Sequence, residues 1–138
     1  MNSAFIDTNI WLYAIIDCGD KEKTSIAREV IKNEKQINIS IQVVNEVCIN
    51  LIKKAKLSET EIEKTINSFY KNYQIVSINQ KSLITACNLR KKHGFSFWDS
   101  FIICSAIESQ SNILFSEDMQ HNLTVEKKIK IINPFKLI

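Results

Sequence analysis

Glycine and proline are nearly missing: the 138 residues hold 2 Gly and 1 Pro. Collagen-like segments and low-complexity linkers need far more of both, and so does a turn-dense β-sandwich. Phosphate-cradling loops are excluded too. Neither G-x-G-x-x-G nor G-x-x-x-x-G-K-[ST] can be written with Gly19 and Gly94 alone. No C-x-x-C pair joins Cys18, Cys48, Cys87 and Cys104. The last three lie among apolar residues, where a thiol behaves as a small hydrophobe, so a thiolate zinc site is not expected. No apolar run approaches the length of a membrane span. Met1-Asn2-Ser3 lacks the basic region and apolar run of a secretory signal, so the chain reads as cytoplasmic with reduced thiols.

What is present is the balance of a globular protein. Apolar residues make up 45% and charged residues 24%, which argues against disorder. The length suits one domain over residues 1–138. Lys and Arg number 18 against 15 Asp and Glu. The resulting net charge of +3 permits a nucleic-acid partner without requiring one.

Short β-rich runs alternate with helical stripes. Strands are predicted at 3–6, 37–41, 74–78, 112–115 and 129–132. Asp20 opens a helix with Ile26, Ala27, Val30 and Ile31 on one face. Val44, Val47, Cys48, Leu51, Ile52 and Ala55 form a second stripe. Ser58 and Glu61 form a capping-box pair before a third helix, with Ile62, Ile66 and Phe69 on one side. A fourth helix ends in Lys91-Lys92-His93-Gly94, a basic last turn and a glycine stop. Residues 97–107 are apolar nearly all round and predict a central helix. This alternation implies an α/β fold: a mostly parallel sheet with helices on both faces. Ligands of such sheets bind outside the carboxyl ends of the strands, near a topological switch point.

Four acids deserve weighing against that rim. Asp7 follows the first strand, and it also reads as the N-cap of a helix through Trp11; the two roles are compatible. Asp99 follows Ser96 at capping-box spacing, yet its helix is apolar on every side and would desolvate it. Glu46 lies opposite the Val44–Leu51 stripe on a helical wheel, which makes it a solvent-facing residue by default. Asp118 sits in the loop after the fourth strand. Three of these follow strand ends, and Asp99 opens a helix leading into the fourth strand. In a parallel sheet they can converge on one rim. Clustered carboxylates repel unless a cation sits among them. Oxygen-only ligation selects a hard ion, Mg²⁺ or Mn²⁺, and suits metal-assisted phosphodiester hydrolysis.

The segments Phe5-Ile6-Asp7-Thr8-Asn9, Val43-Val44-Asn45-Glu46-Val47, Phe97-Trp98-Asp99-Ser100 and Leu114-Phe115-Ser116-Glu117-Asp118-Met119-Gln120-His121 resemble the four acidic motifs of PIN-domain ribonucleases. The nearest likeness is to VapC-type toxins of bacterial toxin–antitoxin pairs. It covers essentially the whole chain, including Ile131-Ile132-Asn133-Pro134-Phe135. The resemblance implies a three-layer α/β/α fold with strand order 3-2-1-4-5. It implies Asp7, Glu46 and Asp99 as metal-binding acids with Asp118 as a fourth, and Thr8, Asn9 and Ser116 as polar supports. It overrides the wheel reading of Glu46 and the capping preference for Asp99. It further implies a Mg²⁺- or Mn²⁺-dependent endoribonuclease, a cognate antitoxin and a homodimer joined through helices. One departure is Asn122, where many relatives carry Gly; Asn tolerates left-handed backbone.

Other readings remain open on sequence. His93 and His121 could serve a metal-free ribonuclease. A receiver domain would need an acceptor Asp ending the third strand, where Asn79 and Gln80 stand instead. A PIN-like module could process RNA without an antitoxin, or only bind RNA or protein. Three basic clusters could meet an RNA backbone: Lys53, Lys54 and Lys56; Arg90, Lys91 and Lys92; and Lys127, Lys128 and Lys130. Trp11, Tyr13 and Trp98 could stack on bases, although such residues more often pack in a core or interface.

Overall fold

The computed structural model describes residues 2–17 and 19–137, so the expectations for Met1 and Cys18 lie outside the described residues. The chain runs β1 (Ala4–Ile6), α1 (Thr8–Ile15), α2 (Lys21–Asn33), β2 (Ile37–Ser40), α3 (Ile41–Ala55), α4 (Glu59–Asn72) and β3 (Gln74–Val76). It continues through α5 (Gln80–His93), α6 (Phe97–Glu108), β4 (Ile113–Phe115), β5 (Thr124–Val125) and β6 (Ile129–Ile132) to a final 3-10 turn, Pro134–Leu137. The sheet order is β3-β2-β1-β4-β6-β5. Every neighbouring pair is parallel except β5 with β6.

The predicted order holds once its fifth strand is read as β6. The added strand, β5, is two residues long and pairs antiparallel at the edge. Its hairpin turns on Glu126 and Lys127, both left-handed at φ 53° and 54°. Neither is the Gly or Asn that normally announces such a turn, so the sequence carries no signal for it. Asn122 is also left-handed, at φ 69°, as its tolerance for that region allows.

Right-handed crossovers place the helices. The β1→β2 and β2→β3 connections both step one way along the sheet, so α1–α4 cover one face. The β3→β4 connection steps back the other way and puts α5 and α6 on the opposite face. The chain reverses direction at β1, which makes the carboxyl end of β1 the switch point. With both faces covered, the strands read as continuous apolar runs. Phe5, Ile6, Ile39, Leu114 and Ile131 are fully buried. The helix ends follow the expected chemistry. Asp20 caps α2, Ser58 and Glu61 form a reciprocal capping box on α4, and Gly94 closes α5 at φ 75°.

Trp11 pins the start of this arrangement. Its Nε1–H donates to the carbonyl of Ile6 at 3.0 Å, and its ring meets Phe69 and Tyr73 at centroid distances of 5.2 and 5.0 Å. It is 2% exposed, so it is core rather than a platform for bases. Trp11→Ala should lower unfolding stability by about 3–5 kcal/mol. Trp11→Phe, which keeps most of the ring but not the donor, should cost about 1–2 kcal/mol. Urea denaturation midpoints compare the two.

Candidate active site

The site grows from the last bond of the β1–β4 ladder. Asp7 follows β1, and its N–H still donates to the carbonyl of Phe115 at 3.0 Å. Its side chain turns back to cap α1: Oδ1 accepts from the Thr8 N–H at 2.8 Å. The other oxygen, Oδ2, accepts from the buried Ser116 hydroxyl at 2.9 Å. The capping and functional readings of Asp7 therefore coexist in one conformation.

Thr8 holds a second acid. Its hydroxyl donates to Glu46 Oε2 at 2.9 Å, while Gln42, one turn earlier on α3, donates to Oε1 at 2.8 Å. Glu46 is half-buried and turned toward Asp7, so the solvent-facing wheel reading is corrected. A wheel knows only one helix; here the hydroxyl that orients Glu46 comes from another, α1. On the next residue of α1, the Asn9 amide donates to Asp118 Oδ2 at 2.8 Å across 109 positions of sequence.

Asp99 occupies the first turn of α6, and its N–H donates to Ser96 Oγ at 3.2 Å. Ser96 thus caps the helix, but among the described residues no hydrogen bond returns from the Asp99 carboxylate. The reciprocal box expected here is absent, and the Asp99 charge instead adds to the raising of the Asp118 pKa.

Electrostatics ties the four acids together. The Asp7 carboxyl is pushed up to about 6: burial raises it most, Glu46 and Asp118 add to the rise, and the Thr8 and Ser116 donors oppose it. Asp118 is also raised, by desolvation first and then by Glu117 and Asp99, against Asn9 and Lys23. Among the described residues no three of His, Cys, Asp and Glu close into a ready-made metal-binding group. The acids share a rim without converging to ligation distance. The donor set nevertheless fits a hard divalent cation. It is all carboxylate, every polar support donates rather than accepts, and a cation would relieve the repulsion that Asp7 records.

Several neighbours escaped the sequence reading. Gln42 was legible, because it lies four residues before Glu46 on one helix face. The surroundings of Glu117 were not. Tyr13 donates to Glu117 Oε1 at 3.0 Å, Lys23 forms an ion pair with the same carboxylate, and Asn133 donates to its carbonyl at 3.2 Å. Tyr13 is thus a support for the acidic loop. His121 Nδ1 accepts from the Asn133 N–H at 2.9 Å, whereas His93 pairs with Glu126 at 3.2 Å. The two histidines have separate partners and form no acid–base pair. Arg90 is likewise engaged, donating to Ser100 Oγ at 2.7 Å, and Lys92 pairs with Glu126 at 2.9 Å.

The raised Asp7 carboxyl sets a pH dependence for the metal-free chain. An aspartate near 3.8 in the unfolded state titrates near 6 in the folded one, so the folded chain holds the extra proton between those values. Stability should therefore be greatest below about pH 4 with respect to this group and fall as pH rises through about 6, by up to about 3 kcal/mol. Asn at this position keeps an acceptor for Thr8 and removes the charge. In EDTA, Asp7→Asn should melt higher than wild type at pH 7 and show a flatter profile between pH 4 and 7; equal melting curves would count against the repulsion.

Comparison with known proteins bears on the same residues. The PIN domain family matches residues 4–125. No individually curated protein matches significantly. Among solved structures, a toxin–antitoxin complex from Klebsiella pneumoniae superposes with a TM-score of 0.70 at 17% identity, covering 95% of this chain and 97% of that one. DNA-bound VapBC from Salmonella typhimurium gives 0.67 at 17% identity, covering 95% and 97%. VapC20 of Mycobacterium tuberculosis, a toxin that cleaves the sarcin–ricin loop, gives 0.66 at 13% identity, covering 83% and 91%. At these identities the likeness is one of fold. The family match is what carries lineage: it runs from β1 to β5 and takes in all four acids, and by it this chain belongs to the PIN domain family.

Proposed function

We propose that the chain is a Mg²⁺- or Mn²⁺-dependent endoribonuclease, acting as the toxin of a toxin–antitoxin pair. The observation that supports the reading is the chain of couplings among acids from four separate segments: Asp7, held near 6 by burial first, feels Glu46 and Asp118, and Asp118 feels Asp99. Asp7, Glu46 and Asp99, with Asp118, would hold the ion. When bound, such an ion lowers the pKa of water and neutralises charge on a phosphodiester. The protein's own groups do the rest. Thr8 and Ser116 fix both oxygens of Asp7, and Thr8 with Gln42 fixes both oxygens of Glu46. Asn9 engages Oδ2 of Asp118 and leaves Oδ1 to take a proton from an attacking water.

Toxicity and partnership rest on the family membership and on the fold shared with toxin–antitoxin complexes. An acidic cleft is open to blockage by an antitoxin segment carrying Arg or Lys, which pairs with the carboxylates in place of metal. Homodimerisation through helices belongs to the same reading. No helix of the described residues is long and apolar enough to cross a membrane, in keeping with action on cytoplasmic RNA.

Cleavage of end-labelled RNA tests the chemistry. Activity should require Mg²⁺ or Mn²⁺, stop in EDTA, and vanish in Asp7→Asn. Ser116→Ala and Thr8→Val, which remove supports of the acids, should each cost about 10–100-fold, recovered in part at higher metal concentration. Retained EDTA-sensitive cleavage by Asp7→Asn would remove Asp7 from the metal site.

Growth tests the biology. Expression of the chain alone should arrest cells, and Asp99→Asn should relieve the arrest. Co-expression with the product of the adjacent reading frame should yield a stable, nuclease-silent complex. Normal growth with demonstrably active enzyme would overturn the toxin role and leave the nuclease.

A further inference from the structure

We infer that a pocket beside Glu46 is a subsite for one unpaired nucleobase of the RNA, with Trp98 as the stacking platform that seats the base and the polar groups of the pocket wall setting base preference next to the cut. The inference rests on the nuclease reading and deepens it. The pocket, about 740 Å³, lies at the carboxyl ends of β2 and β3, within the size range of small-molecule sites. Glu46 lines it and is also one of the four acids, so whatever fills it lies beside the reacting phosphate.

The lining suits a base. Ile41, Ile78 and the Trp98 indole supply apolar surface, while Gln42, Asn45 and Ser77 supply groups able to bond a base edge. Gln42 gives its amide N–H to Glu46, and its buried Oε1 has no donor among the described residues. Trp98 is 64% exposed, whereas Trp11 is 2% exposed, so only one of the two indoles is offered to solvent. The exposed ring is nonetheless held. Phe97 meets it edge-on at 5.2 Å and Phe101 at a tilt at 6.0 Å. Arg90 backs both phenylalanines, with its guanidinium 4.7 Å from the Phe97 centroid and 5.7 Å from that of Phe101. Neither neighbouring ring lies parallel to the indole. Exposed, preorganised aromatic side chains are what single-strand binders use to seat an unpaired base by stacking.

The test uses the full-length chain, Trp98→Ala and Trp98→Phe, on a single-stranded RNA pool of randomised sequence in Mg²⁺. Trp98 is largely exposed, so its truncation spares the core. Trp98→Ala should lower kcat/KM by about tenfold or more and flatten the base preference at one position flanking the cut, with Trp98→Phe retaining most of both. Wild-type rate and preference in Trp98→Ala would overturn the subsite while leaving the nuclease reading intact. A binding arm decides independently of cleavage. Iodide quenching of Trp98 in Asp7→Asn with Mg²⁺ should be suppressed by a single-stranded oligonucleotide and not by its duplex. If wild type cuts no RNA but the oligonucleotide still shields Trp98, the base subsite stands and the nuclease reading falls. Trp98 left equally quenchable in the presence of oligonucleotide would overturn the subsite. Shielding that instead grows with protein concentration in the absence of RNA would also overturn it, in favour of a face for a second copy of the chain.

Discussion

A carboxylate buried at the end of the central strand has to be stabilised from every side, and the geometry around Asp7 follows from that need. Burial alone drives its pKa upward, and two further acids push the same way. The protein answers with donors. Thr8 and Ser116 arrive from the two segments closest to Asp7: the first turn of α1, and the residue after β4. Their positions depend on β1 and β4 being adjacent and parallel, in the register that pairs Ile6 with Phe115. A register slip of one residue would reverse which side chains face the rim and take Ser116 out of reach.

The same economy extends outward along α1. Successive residues of one helical turn serve successive acids: Asp7 caps the helix, Thr8 bonds both Asp7 and Glu46, and Asn9 bonds Asp118. A first helical turn lets consecutive side chains and free backbone N–H groups fan out together toward one rim. Trp11, one turn on, returns a bond to Ile6 and packs against α4 and Tyr73. Stability and site geometry therefore share one short segment, and the free energy of core packing holds like charges near one another.

Much of this was legible in the residues. The buried runs, the caps at Asp20 and Ser58, and the stop at Gly94 all rest on local patterns that tertiary packing does not override, whereas the strand order came from the family resemblance. What failed to be legible depended on distant partners. Glu46 looks solvent-facing on its own helix, because the Thr8 hydroxyl that turns it comes from 38 positions away. Asp99 looks like half of a capping box, because spacing reveals the Ser96 bond but not that the carboxylate is left over for Asp118. The β5 strand is too short for any periodicity, and its turn uses two non-glycine residues at positive φ. The resemblance to PIN-domain ribonucleases supplied what these local patterns lacked, since it weighs four separated acids as one set.

The loop carrying Asp118 shows how charge is sorted at such a rim. Glu117 and Asp118 are adjacent, and Glu117 raises its neighbour's pKa. Were both carboxylates to face the acids, repulsion would splay the loop. Instead Lys23 and Tyr13 take Glu117 on the other side, with the Lys23 ammonium also 5.0 Å from the Tyr13 ring and 5.1 Å from that of Phe135. That partnership raises the Lys23 pKa, chiefly through the Glu117 bond, so the ammonium stays charged wherever the protein is folded. Asn133 then bonds the Glu117 carbonyl, and its own N–H engages His121. One acid of the pair is neutralised by a cation in the scaffold, and the other is left ionisable at the rim with only an amide donor from Asn9. A neutral residue at 117 would remove the repulsion that Glu117 still exerts on Asp118. A paired Glu does more, because its side chain ties the backbone from which Asp118 projects to Tyr13 of α1 and Lys23 of α2.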